Sequence, residues 1–107
     1  RITTMTVNKD DNIVQSPKLG LANYPNPFNP ETTISYNLAE ATPVELNIYN
    51  LKGQLVRTLV SEVQNAGNYS VVWKGTDTDN NTVSSGIYLY QIKTNLQIKT
   101  NKAILLK

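Results

Sequence analysis

The sequence predicts an all-β chain, an immunoglobulin-like β-sandwich of about seven mostly antiparallel strands. Three observations carry that expectation. Apolar and polar residues alternate in short runs, as in Ile34-Ser35-Tyr36-Asn37-Leu38 and Val44-Glu45-Leu46-Asn47-Ile48, which is the period of half-buried strands. Turn-forming Gly, Pro and Asn return roughly every 8–12 residues, the spacing of sandwiches and barrels. No segment longer than about ten residues places apolar side chains at i, i+3, i+4 and i+7, so essentially no helix is expected.

Taken in order, Ile2-Thr3-Thr4-Met5-Thr6-Val7 is β-branched and strand-like. Asn8 to Asn12 is a polar break, and the residues around Pro17 read as linker. Residues 1–18 are therefore an arm, and the domain proper is expected over 19–107. In Asn23-Tyr24-Pro25-Asn26-Pro27-Phe28-Asn29-Pro30, three prolines fall within six residues. Each lacks an amide donor and fixes φ, which excludes a helix and a central strand. Each also pushes the preceding residue into an extended conformation. The segment is expected to be a stiff, extended lead-in whose Phe28 caps the core.

The first clear strand covers Thr32 to Leu38, with Ile34, Tyr36 and Leu38 on one face. After a turn at Glu40-Ala41-Thr42-Pro43, Val44, Leu46 and Ile48 share a face of the second strand. Asn50-Leu51-Lys52-Gly53 is a hairpin turn in which Gly53 supplies a positive φ. Gln54 to Val60 is the return strand, and Ser61 to Gly67 a connection. Tyr69, Val71 and Trp73 point one way in the next strand. Gly75 to Ser85 is a polar loop, Ile87 to Lys93 a strand, and Leu96 to Leu106 the last strand, bent near Asn101. The expected core is Ile34, Tyr36, Leu46, Ile48, Leu55, Tyr69, Val71, Trp73, Tyr88, Tyr90 and Leu105. Each such side chain stabilises by about 1.5–3 kcal/mol when fully buried, with no disulfide or metal to help.

Composition narrows the function. A chain of 107 residues suits one domain with one core. Its net charge of +2 is scattered and argues against nucleic-acid partners. No apolar run approaches the roughly 20 residues of a membrane span. The absence of Cys removes disulfides and thiolate chemistry. The absence of His removes the commonest general base and transition-metal ligand. An enzyme is not expected, nor is a cofactor. The chain begins with Arg1 rather than Met, which suggests a fragment or a processed product.

Individual motifs mostly have structural readings. Asp77-Thr78-Asp79-Asn80-Asn81 has the alternating oxygens that open a calcium loop, but its sixth position is Thr82 rather than Gly and its twelfth is Tyr88 rather than Glu. A solvated hairpin loop is the better reading, and Asp77 and Asp79 are the ligands to test if a metal binds. Asp10 and Asp11 lie in a polar break with nothing apolar to raise a pKa. Gly53, Gly67 and Gly86 read as turn residues. Tyr88, Tyr90 and Trp73 read as core rather than as a sugar-binding platform, which places a carbohydrate-binding module third among the candidate functions. The arm has a sharper alternative: Ile2 to Val7 donated to an open sheet edge of another molecule. The link from Asn8 to Lys18 spans about 30 Å when extended, enough to reach a second subunit.

The ordered set of these pieces resembles a known family. Tyr24-Pro25-Asn26-Pro27-Phe28-Asn29-Pro30 leads into Thr32-Thr33-Ile34-Ser35-Tyr36, and Val44 to Asn50 runs into Gly53-Gln54-Leu55-Val56. Ala66-Gly67-Asn68-Tyr69, Trp73-Lys74-Gly75, Ser85-Gly86-Ile87-Tyr88-Leu89-Tyr90 and Lys102-Ala103-Ile104-Leu105-Leu106-Lys107 complete the set. Together they resemble the type A C-terminal sorting domain of the bacterial type IX secretion system, and are similar to the Ig-like domain of flagellar hook-capping proteins. The resemblance covers about Leu19 to Lys107. It implies a domain at the C-terminus of a larger passenger protein, carried through the periplasm to the surface of a Gram-negative-type bacterium. It implies the secretion machinery and a sortase-like peptidase as partners. Lys102 to Lys107 become the part that the machinery reads; backbone pairing to the terminal strand would supply affinity and alternate side chains specificity. An ending two residues after Ile104-Leu105 fits a true C-terminus. A structural subunit of an extracellular filament, joined by strand exchange through the arm, is the alternative.

Overall fold

The computed structural model describes residues 19–107, and the regular structure among them is all β. The strand-like run Ile2 to Val7 and its linker lie outside the described residues. Seven strands occur in order: β1 Leu21–Tyr24, β2 Thr32–Leu38, β3 Thr42–Tyr49, β4 Leu55–Gln64, β5 Gly67–Trp73, β6 Gly86–Lys93 and β7 Ile98–Leu105. They form an antiparallel three-stranded sheet, β1-β2-β5, and an antiparallel four-stranded sheet, β4-β3-β6-β7. This is an immunoglobulin-like sandwich.

The alternation in β2 and β6 does what the pattern requires: Ile34, Tyr36 and Leu38 from one sheet face Tyr88, Tyr90 and Ile92 from the other, and all are buried. Trp73 is fully buried at the core's centre, with its ring centroid 5.4 Å from Phe28 and 5.3 Å from Tyr88. Tilted and edge-on pairs of this kind add about 0.5–1.5 kcal/mol beyond area burial. The indole Nε1 donates to the carbonyl of Thr76 at 2.9 Å, so the buried ring leaves no donor unpaired.

Several sequence expectations are corrected. Leu21 to Tyr24 is a true strand, paired with β2 from Leu21↔Tyr36 to Tyr24↔Thr33. Residues 61–64 are not connection but the second half of β4. Leu55 is 54% exposed, and Val56 is buried in its place. Two register shifts between β3 and β4 explain the exchange, one after Leu46↔Val60 and one after Ile48↔Arg57. Each leaves an extra residue on β4, Leu59 and Val56, and both turn towards the core. A one-residue slip swaps the faces of a strand, and bulges cannot be counted from alternation alone. Tyr69 and Val71 face the core but are only half-buried, because β5 is an edge strand. Tyr69 stacks on Tyr36 at 5.4 Å and 14°. The last strand starts at Ile98 rather than Leu96 and passes Asn101 in unbroken register with β6.

The two ends of the sandwich differ. Leu19, Leu38, Thr42, Thr94 and Leu96 meet at one end, where the arm joins. The proline segment, the Asn50–Gly53 turn, the Gly75–Ser85 loop and Leu106-Lys107 gather at the other. We call the latter the distal tip.

Candidate functional site

At the distal tip the proline segment and the last strand form one unit. The segment does not run straight: it bends over the sandwich, with cis peptide bonds before Pro25, Pro27 and Pro30. Two of its residues then close the outer edge of β7. The Asn26 side chain accepts from the Ile104 amide through Oδ1 at 3.0 Å and donates to the Lys102 carbonyl through Nδ2 at 3.2 Å. One carboxamide thus substitutes for a neighbouring strand's backbone. The Phe28 amide donates to the Ile104 carbonyl at 2.8 Å, and the Phe28 carbonyl accepts from the Leu106 amide at 3.0 Å. Phe28 and Leu105 are paired in parallel.

The clip has two anchors. Phe28 is 2% exposed, packed into the core against Trp73. The Pro25 carbonyl accepts from Thr32 Oγ1 at 2.8 Å, and Asn23 Nδ2 donates to the same Oγ1 at 3.1 Å. Asn23 Oδ1 in turn accepts from the Tyr90 hydroxyl at 2.8 Å. This polar chain joins the two sheets beneath the clip. Further along, Asn101 Nδ2 donates to the Leu21 carbonyl at 2.7 Å, tying β7 to β1 across the sheet boundary. Burial raises the pKa of the Tyr90 phenol, against the opposing hydrogen bond from Asn101. Burial likewise raises that of Tyr36, whose hydroxyl donates to Gln64 at 2.6 Å.

Among the described residues, most of those singled out in the sequence lie in this unit or around it, and two lie elsewhere. Pro25, Asn26, Pro27, Phe28, Asn29 and Pro30 form the clip, and Lys102 to Leu106 the strand it holds. Lys107 donates its amide to Ser85 Oγ at 3.0 Å. Trp73 and Tyr88 support Phe28 from below. Gly75 joins them, although its sequence context marks it only as the start of a polar loop. It has φ +69°, and a Cβ there would stand 3.4 Å from the Pro30 carbonyl. Glycine lets the loop pass close under the clip. Gly53 and Gln54 lie in the β3–β4 turn, where Gly53 adopts φ 83° as expected, and the Asn50 side chain accepts from the Lys52 and Gln54 amides. Gly67 and Tyr69 are at the opposite end, and Gly86 opens β6.

The Asp77–Thr82 loop is organised by a protein cation. Arg57 Nη1 donates to Thr76 Oγ1 at 3.3 Å, to Asn80 Oδ1 at 3.0 Å and to the Asp77 carbonyl. Asp77 Oδ1 accepts from the Asp79 and Asn81 amides, both at 2.9 Å. Among the described residues no group of three or more His, Cys, Asp or Glu side chains is placed to hold a metal ion, and no helix is long and apolar enough to cross a membrane.

The fold and the clipped last strand together define an Ig-like β-sandwich domain. The model of the FlgD Ig-like domain family matches residues 28–97, and the chain belongs to that family. No curated protein matches the chain. Among solved structures it is similar to FlgD from P. aeruginosa (29% identity, TM-score 0.55, covering 69% of this chain and 57% of that one). It also shares its fold with dimeric latent PorU from Porphyromonas gingivalis (19% identity, TM-score 0.69, 94% and 10%). PorZ, an essential bacterial surface component of the type IX secretion system of P. gingivalis, shares it too (20% identity, TM-score 0.58, 82% and 12%). The chain spans little more than half of the FlgD chain and about a tenth of the other two.

Proposed function

We propose that the chain is a non-catalytic C-terminal sorting and anchoring domain, one that directs a larger passenger protein through type IX secretion to the cell surface. The observation that carries this reading is the clip. It joins the Pro25–Pro30 motif to Lys102–Lys107, the first and last of the pieces that carry the resemblance to sorting domains, in one preformed structure. The fold shared with PorZ, a surface component of that secretion system, is a further support. In this reading Lys102 to Lys107 are the residues read, the clip and Trp73 hold them in place, and a sortase-like peptidase acts after export. The test is a reporter fused ahead of the whole chain, residues 1–107, in a host competent for type IX secretion. Reporter on the surface or in the medium is expected. Reporter retained in the periplasm, beside a working control domain, overturns the reading.

A filament subunit joined by strand exchange is the second reading. It draws on the outer edge of β4: beyond Val56, whose carbonyl accepts from the Thr78 amide, no described residue outside β3 pairs with its backbone. Sedimentation of the intact chain at high concentration tests it, and a monomer throughout removes it.

A further inference from the structure

The clip changes what a partner can read. From Lys102 to Leu106 the outward backbone groups of β7 are already engaged by Asn26 and Phe28. Backbone pairing there requires the clip to be displaced, so side chains are the free means of recognition. They are concentrated on one face of the distal tip. In register, Tyr49 lies between Leu55 and Leu89, and Ile87 lies opposite Ile104. All five therefore project from the outer face of the four-stranded sheet, away from the core. The β3–β4 turn adds Leu51 beside Ile87 in a shared groove. Leu51, Leu55, Ile87 and Leu106 are four of the nine exposed large apolar side chains among the described residues. Of the rest, Tyr24 and Val72 lie on the three-stranded sheet, and Val63, Leu96 and Ile98 lie toward the other end of the four-stranded sheet. Exposed apolar side chains grouped on one face mark an interaction site more often than ones scattered singly do.

Charge surrounds this patch unevenly. Lys52 lies in the turn, Lys102 opposite Leu89, and Lys107 beside Ser85. Among the described residues none of the three has an acidic partner. Lys93, at the other end of the same face, pairs with Glu45 at 3.7 Å. On the opposite flank Asp77 and Asp79 border Leu55. Leu19, the first described residue, accepts from Lys99 Nζ at 3.1 Å beside the start of β7. Leu19 thus lies at the end of the sandwich remote from the patch.

We propose that this outer face, centred on Leu51, Leu55 and Ile87 and bordered by Lys52, Lys102 and Lys107, is the docking surface for a protein of the export machinery. The partner surface has an apolar centre and carboxylates set against the three lysines. The proposal rests on the sorting reading and moves affinity from backbone pairing along the last strand to the side chains of a folded face.

The test uses the same full-chain reporter fusion. One variant carries Lys52→Glu, Lys102→Glu and Lys107→Glu; a second carries Leu51→Ser and Ile87→Ser; a control carries Val63→Ser and Lys93→Glu at the far end. Export of the unaltered fusion decides the sorting reading by itself. Given that export, both tip variants are expected to fall at least tenfold while keeping the parent's thermal midpoint, with the control unchanged. Tip variants exported like the parent overturn the proposal. If the serine variant unfolds, Lys52→Glu by itself decides, since Lys52 is exposed, does not hold the core and lies outside Lys102–Lys107. A dimer of the purified chain that the tip variants dissolve assigns the face to a second copy and also overturns it.

Discussion

Replacing Asn26 with Ala tests whether the clip is a working contact. The substitution removes the acceptor for the Ile104 amide and the donor to the Lys102 carbonyl. A hydrogen bond contributes about 0.5–1.5 kcal/mol net. Both of these are open to solvent, so water recovers part of the loss, and the pair together is expected to contribute about 1–2 kcal/mol. Against a domain stability of about 5–15 kcal/mol this is readily measured. It corresponds to a fall in Tm of roughly 5–15 °C for a domain of this size. Urea denaturation gives the total, and amide exchange locates it. The Ile104 and Leu106 amides should exchange faster, while those of Ile34 and Leu46 change only with global stability. Asn26→Asp keeps the acceptor but sets a carboxylate against the Lys102 carbonyl. It should cost at least as much at pH 7, and recover relative to the parent as pH falls towards about 3.9, by which point the protonated acid donates again. A loss under about 0.3 kcal/mol, with exchange at Ile104 and Leu106 unmoved, refutes the reasoning, because a net hydrogen bond should exceed that.

Other consequences arise from the packing. Val56→Ser should cost about 2 kcal/mol or more and Leu55→Ser close to nothing, since only Val56 is buried; equal losses in chemical denaturation would remove the two-bulge register. Arg57→Met should cost about 1–2 kcal/mol and loosen the Asp77–Asn81 loop, seen as faster exchange at the Asp79 and Asn81 amides; an unchanged loop means that Asp77 organises it alone. Tyr36 and Tyr90 have phenol pKa values raised by burial. The folded state therefore holds their protons longer than the unfolded chain, so their contribution is intact below the ordinary tyrosine value of about 10 and is lost as pH rises past it. Alkaline unfolding followed by tyrosine absorbance should show this, and Tyr36→Phe with Tyr90→Phe should flatten the dependence; a profile unaffected by both changes assigns it to other groups.

Much of this molecule was determined locally. Alternation in Thr32–Leu38 and Gly86–Lys93 specified both the strands and their inward faces, because side chains on a pleated strand must alternate. Gly53 identified its turn, because a left-handed backbone favours glycine. The three prolines excluded a regular strand, and the large apolar Phe28 pointed to a cap on the core. The rest depended on contacts between distant residues. Nothing near Asn26 states that its carboxamide will serve as a strand for residues 76 and 78 positions away. Nothing near Asp77 states that Arg57 will fill its loop. The bulges that bury Val56 and expose Leu55 come from pairing with β3, and Leu21–Tyr24 is a strand because β2 offers it an edge. The distal tip joins a turn, a loop, the clip and the last strand, which are separated in the chain. Periodicity records which face of each element is apolar. Only the packing of the two sheets decides which elements share an end, and so where a surface exists to be read.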